Sequence, residues 1–281
     1  MVRGAHPVEQ LLQSFSGKDR RMPQGSRKMV SLASGAEQAP LSLDSALRFH
    51  CHAGLPCFNR CCRTPTVILS PYDLVRLKQC LKIGSGELLR RCTVQVVEQS
   101  SNLPLVFLDV HRTPEPRCPF VGEQGCTVYA HRPAACRLFP VTMGSRLTAG
   151  GVEDLYFCSP LEYCRGFDDG QEWTVASWRT HQGFDEYDRG RREWLEILLR
   201  ATLKGPGEVD AHLQKLFAAA MYDLDRWRAL AAPPDFHGLG LKDGPTPPPL
   251  QADDWEWLSF SYAFLKFLLF PAQIPFLQGR V

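Results

Sequence analysis

Nine of the eleven cysteines in this chain fall into three groups. Cys51, Cys57, Cys61 and Cys62 lie within twelve residues; Cys118, Cys126 and Cys136 follow after a gap; Cys158 and Cys164 close the series. Thiolates grouped in this way suit soft or borderline metals, which draw several sulfurs from separate loops onto one ion or cluster. The adjacent pair Cys61-Cys62 narrows the chemistry. Neighbouring side chains in extended backbone point to opposite sides, so they fill two corners of one tetrahedron poorly. The pair points to two metals or a cluster, or to one ligand with its neighbour packed beside it. The spacings are irregular: five residues between Cys51 and Cys57, three between Cys57 and Cys61, seven between Cys118 and Cys126, nine between Cys126 and Cys136. The short C-x2-C knuckle of zinc ribbons and the bacterial ferredoxin run are both absent.

The residues around the middle group support ligation. Gly125 permits a tight turn before Cys126. Arg132-Pro133 and Arg137 bracket Cys136, where cations favour thiolate over thiol, unless they bond carboxylates elsewhere. Cys80 and Cys92 sit in predicted helices and read as small buried apolar residues rather than ligands. His52 and His131 read as neighbours of the thiols. No H-E-x-x-H motif occurs, and Gly84-Ser85-Gly86 follows a predicted helix rather than a strand, the wrong setting for a nucleotide-binding turn.

The chain of 281 residues is 44% hydrophobic and 22% charged, the balance of a soluble globular protein. Its net charge of +2 gives no electrostatic case for nucleic acid. An odd number of cysteines excludes complete disulfide pairing within one chain. The first thirty residues hold no apolar stretch of signal-peptide length, so the expected compartment is the reducing cytoplasm. Translation from Met1 or from Met29 fits the composition equally.

The elements that must position the cysteines follow from local signals. Ser70-Pro71-Tyr72-Asp73 predicts a helix start, with Ser70 as cap, Pro71 first and Asp73 at the positive end. Leu74, Leu77 and Leu81 give that helix one apolar face, and Gly84 ends it. A short helix is expected from Ser85 to Cys92, strands at Val94–Val97 and Leu105–Val110, and helices at Trp173–His181 and Arg189–Leu203. Val209 to Trp227 carries the strongest helical periodicity. Trp255 to Phe270 is apolar on nearly every side. Sixteen residues at about 1.5 Å each reach only about 24 Å, short of a ~30 Å hydrocarbon core. That helix is expected on the domain's own core, or against a protein partner or a membrane surface.

The division expected is a mobile extension over 1–45, a cysteine-cluster domain over 46–204, a helical extension over 205–232, a Pro/Gly-rich linker over 233–250 and an apolar terminal helix over 251–281. The fold class is α-rich α+β: a loop-rich cysteine core with short strands, followed by a helical C-terminal region.

Two blocks resemble the YkgJ-type cysteine cluster family. The first is Cys51…Cys57-x3-Cys61-Cys62 with Leu69-Ser70-Pro71-Tyr72-Asp73-x2-Arg76-Leu77. The second runs Cys118-Pro119-Phe120-Val121…Gly125-Cys126-Thr127-Val128-Tyr129-x2-Arg132-Pro133-x2-Cys136-Arg137-x2-Pro140. Cys164-Arg165-Gly166, with Gly170-x2-Trp173-Thr174-Val175, is similar to the family's last ligand segment. The resemblance spans about Phe49 to Trp194. It implies a zinc- or iron-chelating domain, or an iron–sulfur protein such as one with a 4Fe-4S cluster. The ligands it implies are Cys51, Cys57, Cys61, Cys62, Cys118, Cys126, Cys136 and Cys164, with Cys158 in reserve. Flagellin lysine N-methylases carry a similar domain, so the resemblance also allows a metal-dependent protein-lysine methyltransferase. A zinc-stapled interaction protein is the third reading. Iron–sulfur is favoured slightly over zinc, because a single structural zinc needs only four ligands.

Overall fold

A computed structural model describes residues 39–63, 65–168, 170–232 and 244–271. The expected extension over 1–38 and the linker part 233–243 lie outside the described residues. Residues 39–45 are tied to the body, since the Leu41 N–H donates to the Tyr156 carbonyl at 2.7 Å.

Among the described residues, four small sheets and eight helices make an α-rich α+β fold. β1 (Ala46–Arg48) pairs antiparallel with β9 (Glu172–Thr174), Leu47 opposite Trp173. β2 (Ile68–Leu69), β3 (Thr93–Val97) and β4 (Pro104–Leu108) form a three-stranded antiparallel sheet in the order β2-β4-β3. β4 is buried along its whole length, as its unbroken apolar run requires. β5 (Val121–Gly122) and β6 (Gly125–Cys126) make a minimal hairpin. β7 (Val141–Thr148) and β8 (Gly151–Cys158) make a long one.

Helix α1 (Pro71–Leu81) starts where Ser70 and Pro71 predict, with a capping box in which Ser70 accepts from the Asp73 N–H. Its end differs. Lys82 adopts a left-handed conformation (φ 54°) and closes the helix two residues early, which leaves Gly84 to open α2 (Ser85–Cys92). α3 (Ala134–Leu138) is a short turn carrying Cys136. The helix expected from Trp173 begins only at α4 (Val175–His181), because Trp173 and Thr174 are held in the β1–β9 ladder and Thr174 then caps. α5 (Phe184–Lys204) starts five residues before Arg189.

The periodic stretch from Val209 is two helices, α6 (Ala211–Tyr222) and α7 (Leu224–Leu230). Ser85 breaks it: its hydroxyl donates to Asp223 at 2.7 Å and its N–H to Asp225 at 2.7 Å. α8 (Asp254–Leu269) is capped by Asp253. Trp257, Leu258, Phe260, Tyr262, Phe264 and Leu265 of α8 are buried in the same core as α5, α6 and α7. Each such side chain contributes about 1.5–3 kcal/mol. Most of this apolar helix thus has its partner within the chain, and Trp255, Glu256, Ser259 and Ala263 remain exposed. No helix among the described residues is long and apolar enough to cross a membrane.

Candidate metal centre

Backbone pairing gathers the cysteine segments. From β1 the chain runs into the first cysteine loop, zipped to the last one. The Phe49 N–H donates to Gln171 O (2.9 Å), His50 N–H to Gly166 O (2.8 Å), and the Trp173 indole to Phe49 O (3.0 Å). Phe49 itself packs edge-on against Phe139, Phe167 and Trp178. The approach is close enough that a Cβ on Gly166 would lie 2.5 Å from the Phe49 ring, so glycine is required there. Cys57 receives a hydrogen bond at sulfur from the Arg165 N–H, 3.2 Å away.

A second seam joins the pair to the middle group. Cys61 and Cys62 end a 3₁₀ turn (Arg60–Cys62), and the Cys62 carbonyl accepts from the Cys118 N–H at 2.8 Å. Gly125 takes φ +126° in the β5–β6 turn, against Phe58 of the first loop, which delivers Cys126 to the same place. Cys136 is delivered by α3, and here the Asp73 carboxylate does more than the helix-start signal implies. One oxygen accepts from the Ser70 N–H (2.8 Å) and hydroxyl (2.7 Å), the other from the Ala134 N–H (2.8 Å). A single buried carboxylate therefore ties the starts of α1 and α3 together. Burial raises its pKa, against the pull of Ala134, Ser70 and Arg191.

The thiols sort into two neighbourhoods by the charges they feel. Burial, then repulsion from Cys61, Cys164 and Cys57, pushes Cys51 up to about 11. Cys164 is raised by burial, opposed by the Gly166 N–H and aided by Cys57 and Cys61. In the other neighbourhood, burial pushes Cys118 up to about 11, with the Phe120 N–H opposing and Cys126 and Cys92 adding. Burial pushes Cys136 up to about 12, with Cys118, Asp73, Cys126 and finally Cys61 contributing. The two neighbourhoods meet at the adjacent pair, whose sulfurs are 4.0 Å apart. The hydrogen bond between them lowers Cys61 to about 7. That bond, then burial, then Cys61, Cys118 and Cys136 raise Cys62 well above its usual value. The sets that result are Cys51, Cys57, Cys61 and Cys164, and Cys62, Cys118, Cys126 and Cys136.

All eleven cysteines are free thiols. Among the described residues no three side chains of His, Cys, Asp or Glu are grouped closely enough to hold a metal ion as they stand. The donor chemistry fits a soft or borderline cation. Mutual repulsion among buried sulfurs is what such a charge reverses, and an N–H already points at one of them. Burial raises the Cys126 pKa, with the Val128 N–H and, of the bracketing arginines, Arg132 opposing it in part. Arg137 instead braces the fold through carbonyls, donating to Gln182 O and Ala130 O at 2.6 Å each.

Cys158 sits at the end of β8 opposite Val141, raised by burial alone with no thiol acting on it. Cys80 acts on Cys126 and Cys92 on Cys118, so both helical cysteines flank the second set. Their sequence setting carries no sign of this, since the last turns of α1 and α2 are brought there only by packing. His131 meets Arg76 (3.4 Å) and His52 stacks on His50 (4.8 Å).

Residues 50–165 match the family model CxxCxxCC, described as "putative zinc- or iron-chelating domain". The resemblance read from the cysteine blocks holds over that segment, which contains both sulfur sets; it ends before the Gly170–Val175 stretch. The gaps of five and three residues after Cys51 and Cys57 are longer than the two-residue gaps in the family's name. No curated protein and no solved structure matches the chain.

Proposed function

We propose, from a chain whose residues 50–165 match a zinc- or iron-chelating domain, that this protein holds two metal centres on two four-thiolate sets. Cys51, Cys57, Cys61 and Cys164 would hold one; Cys62, Cys118, Cys126 and Cys136 would hold the other. The observation that carries this reading is the pair of backbone seams that part at Cys61-Cys62: His50 N–H to Gly166 O and Arg165 N–H to the Cys57 sulfur on one side, Cys118 N–H to Cys62 O on the other. Four thiolates complete a tetrahedral zinc site or the ligation of one 4Fe-4S cluster. Two divalent ions would leave half of the thiolate charge uncompensated, which the neighbouring arginines offset in part. Iron–sulfur is favoured slightly for at least one quartet, because a single structural zinc needs only four of the eight sulfurs. Eleven free thiols suit the reducing cytoplasm, where such centres persist.

Anaerobic purification followed by elemental analysis and electronic spectra tests the reading. The expected protein is brown, absorbs in the visible charge-transfer region, and bleaches on reduction. A colourless protein with stoichiometric zinc removes the cluster and keeps the two quartets. A protein with neither metal removes both.

A further inference from the structure

The two sulfur sets differ in how they are built, and the difference concerns what each can do. Cys118 is buried at 8% exposure, and its set is assembled from four separate places: the 3₁₀ turn, the approach to β5, β6 and α3. Those pieces are joined by the Cys62–Cys118 backbone bond and by Asp73. In the first set, Cys51 is exposed and three of the four sulfurs come from one loop of eleven residues. Its fourth member, Cys164, hangs on a loop held by the Phe49–Gln171 and His50–Gly166 bonds, which need no sulfur.

The rim of the first set is also distinctive. Arg60, Arg63, Arg165 and His50 are exposed around it. Arg60 stacks over the Tyr163 ring at 4.5 Å. Among the described residues neither Arg60 nor Arg63 is paired with a carboxylate, and Arg165 reaches Asp168 only at 3.6 Å. A solvent-facing thiolate site inside a cationic rim attracts anionic ligands.

Resting on the two-quartet reading, we infer that the set Cys51, Cys57, Cys61 and Cys164 is an exchange site. It passes a soft or borderline divalent cation to and from a small anionic chelate bearing thiolate or carboxylate groups. The set around buried Cys118 is the permanent one and acts as a staple. The shared turn at Cys61-Cys62 keeps the exchangeable metal beside the permanent one.

The test is metal release from protein reconstituted anaerobically with Zn(II), followed by the colour of an anionic pyridylazo chelator. The expected trace has two phases of equal amplitude, the first at least tenfold faster than the second. Cys51→Ser and Cys164→Ser are expected to remove the fast phase while leaving the far-ultraviolet circular dichroism unchanged. Raising ionic strength is expected to slow the fast phase only. A single phase for all the metal overturns the inference, as does loss of the slow phase in Cys51→Ser. A fast phase indifferent to salt overturns the anionic partner. Uptake of less than two zinc ions per chain fails earlier, at the two-quartet reading, and takes the inference with it.

Discussion

Replacing Asp73 with alanine is predicted to damage the metal site from a residue that touches no metal. The carboxylate accepts from the Ser70 N–H, the Ser70 hydroxyl and the Ala134 N–H, all within 2.8 Å. The hydroxyl can turn to another acceptor, but the two N–H groups are fixed by helix starts, and both residues are buried. An orphaned buried donor costs about 1–3 kcal/mol. Removing a fully desolvated carboxylate returns part of this, so the expected net loss is about 3 kcal/mol. That is a large share of a typical 5–15 kcal/mol total. Asp73→Asn keeps one acceptor oxygen and is expected to lose about half as much. Ser70→Ala, which removes one cap, should lose about 1 kcal/mol. Urea denaturation of the metal-free and zinc-loaded proteins measures all three. Because the Ala134 bond sets α3, Asp73→Ala should also weaken zinc binding to the set that includes Cys136 by tenfold or more, as outer-shell changes do. A loss below about 1 kcal/mol with unchanged zinc affinity would refute the view that this carboxylate places Cys136.

Other outcomes follow from the same contacts. Asp188 accepts from Arg191 (2.6 Å), Arg192 (3.0 Å) and Arg179 (3.2 Å); burial pushes its pKa up, but the three cations prevail and the net shift is downward. Its contribution is therefore present above the unfolded carboxyl value of about 3.9 and is lost as pH falls through the lower folded value. Asp188→Asn should cost about 3 kcal/mol at neutral pH, and the gap from wild type should close below about pH 4 in acid denaturation curves. Gly166→Ala must push Phe49 aside, at about 1–3 kcal/mol; calorimetry should show a lower Tm, and the fast zinc phase should shrink because Cys164 is displaced. Arg137→Lys loses the planar fork that bonds Gln182 and Ala130 together. It should destabilise the fold by about 2 kcal/mol in urea, with zinc stoichiometry unchanged.

What could be read beforehand, and what could not, divides by the range of the forces involved. Ser70-Pro71 announces a helix start because capping is settled within four residues. The break at Asp223 was not readable, because Leu224 and Trp227 continue the apolar period; it is made by Ser85, about 140 residues away in sequence. The β7–β8 hairpin was missed for a local reason. Met143-Gly144-Ser145-Arg146 alternates too weakly to mark a strand, and most of the hairpin is only half-buried. The adjacency of Cys61 and Cys62 already set two thiols side by side, and their sulfurs lie 4.0 Å apart. Their neighbours were not legible, since the Cys164 loop is brought beside the first loop by bonds between distant segments, Phe49 to Gln171, His50 to Gly166 and Arg165 to Cys57. Nor could the flanking places of Cys80 and Cys92 be seen, because each depends on how a helix packs.

The β1–β9 ladder has a consequence during synthesis. Ala46 pairs with Thr174, so the ribosome must add well over a hundred residues before the ladder can close. At about 5–20 residues per second, Cys62 waits roughly 5–20 s for Cys164 to be added. Through that interval the nascent chain carries four neighbouring thiols, Cys51 to Cys62, with no fourth-segment partner. Under the two-quartet reading, metal captured then would be held by a single loop and would have to be redistributed when Cys118, Cys126 and Cys136 arrive. The order in which the sulfurs emerge thus makes metal supply a question of timing, and ribosome stalling between residues 62 and 164 is the point at which it would fail.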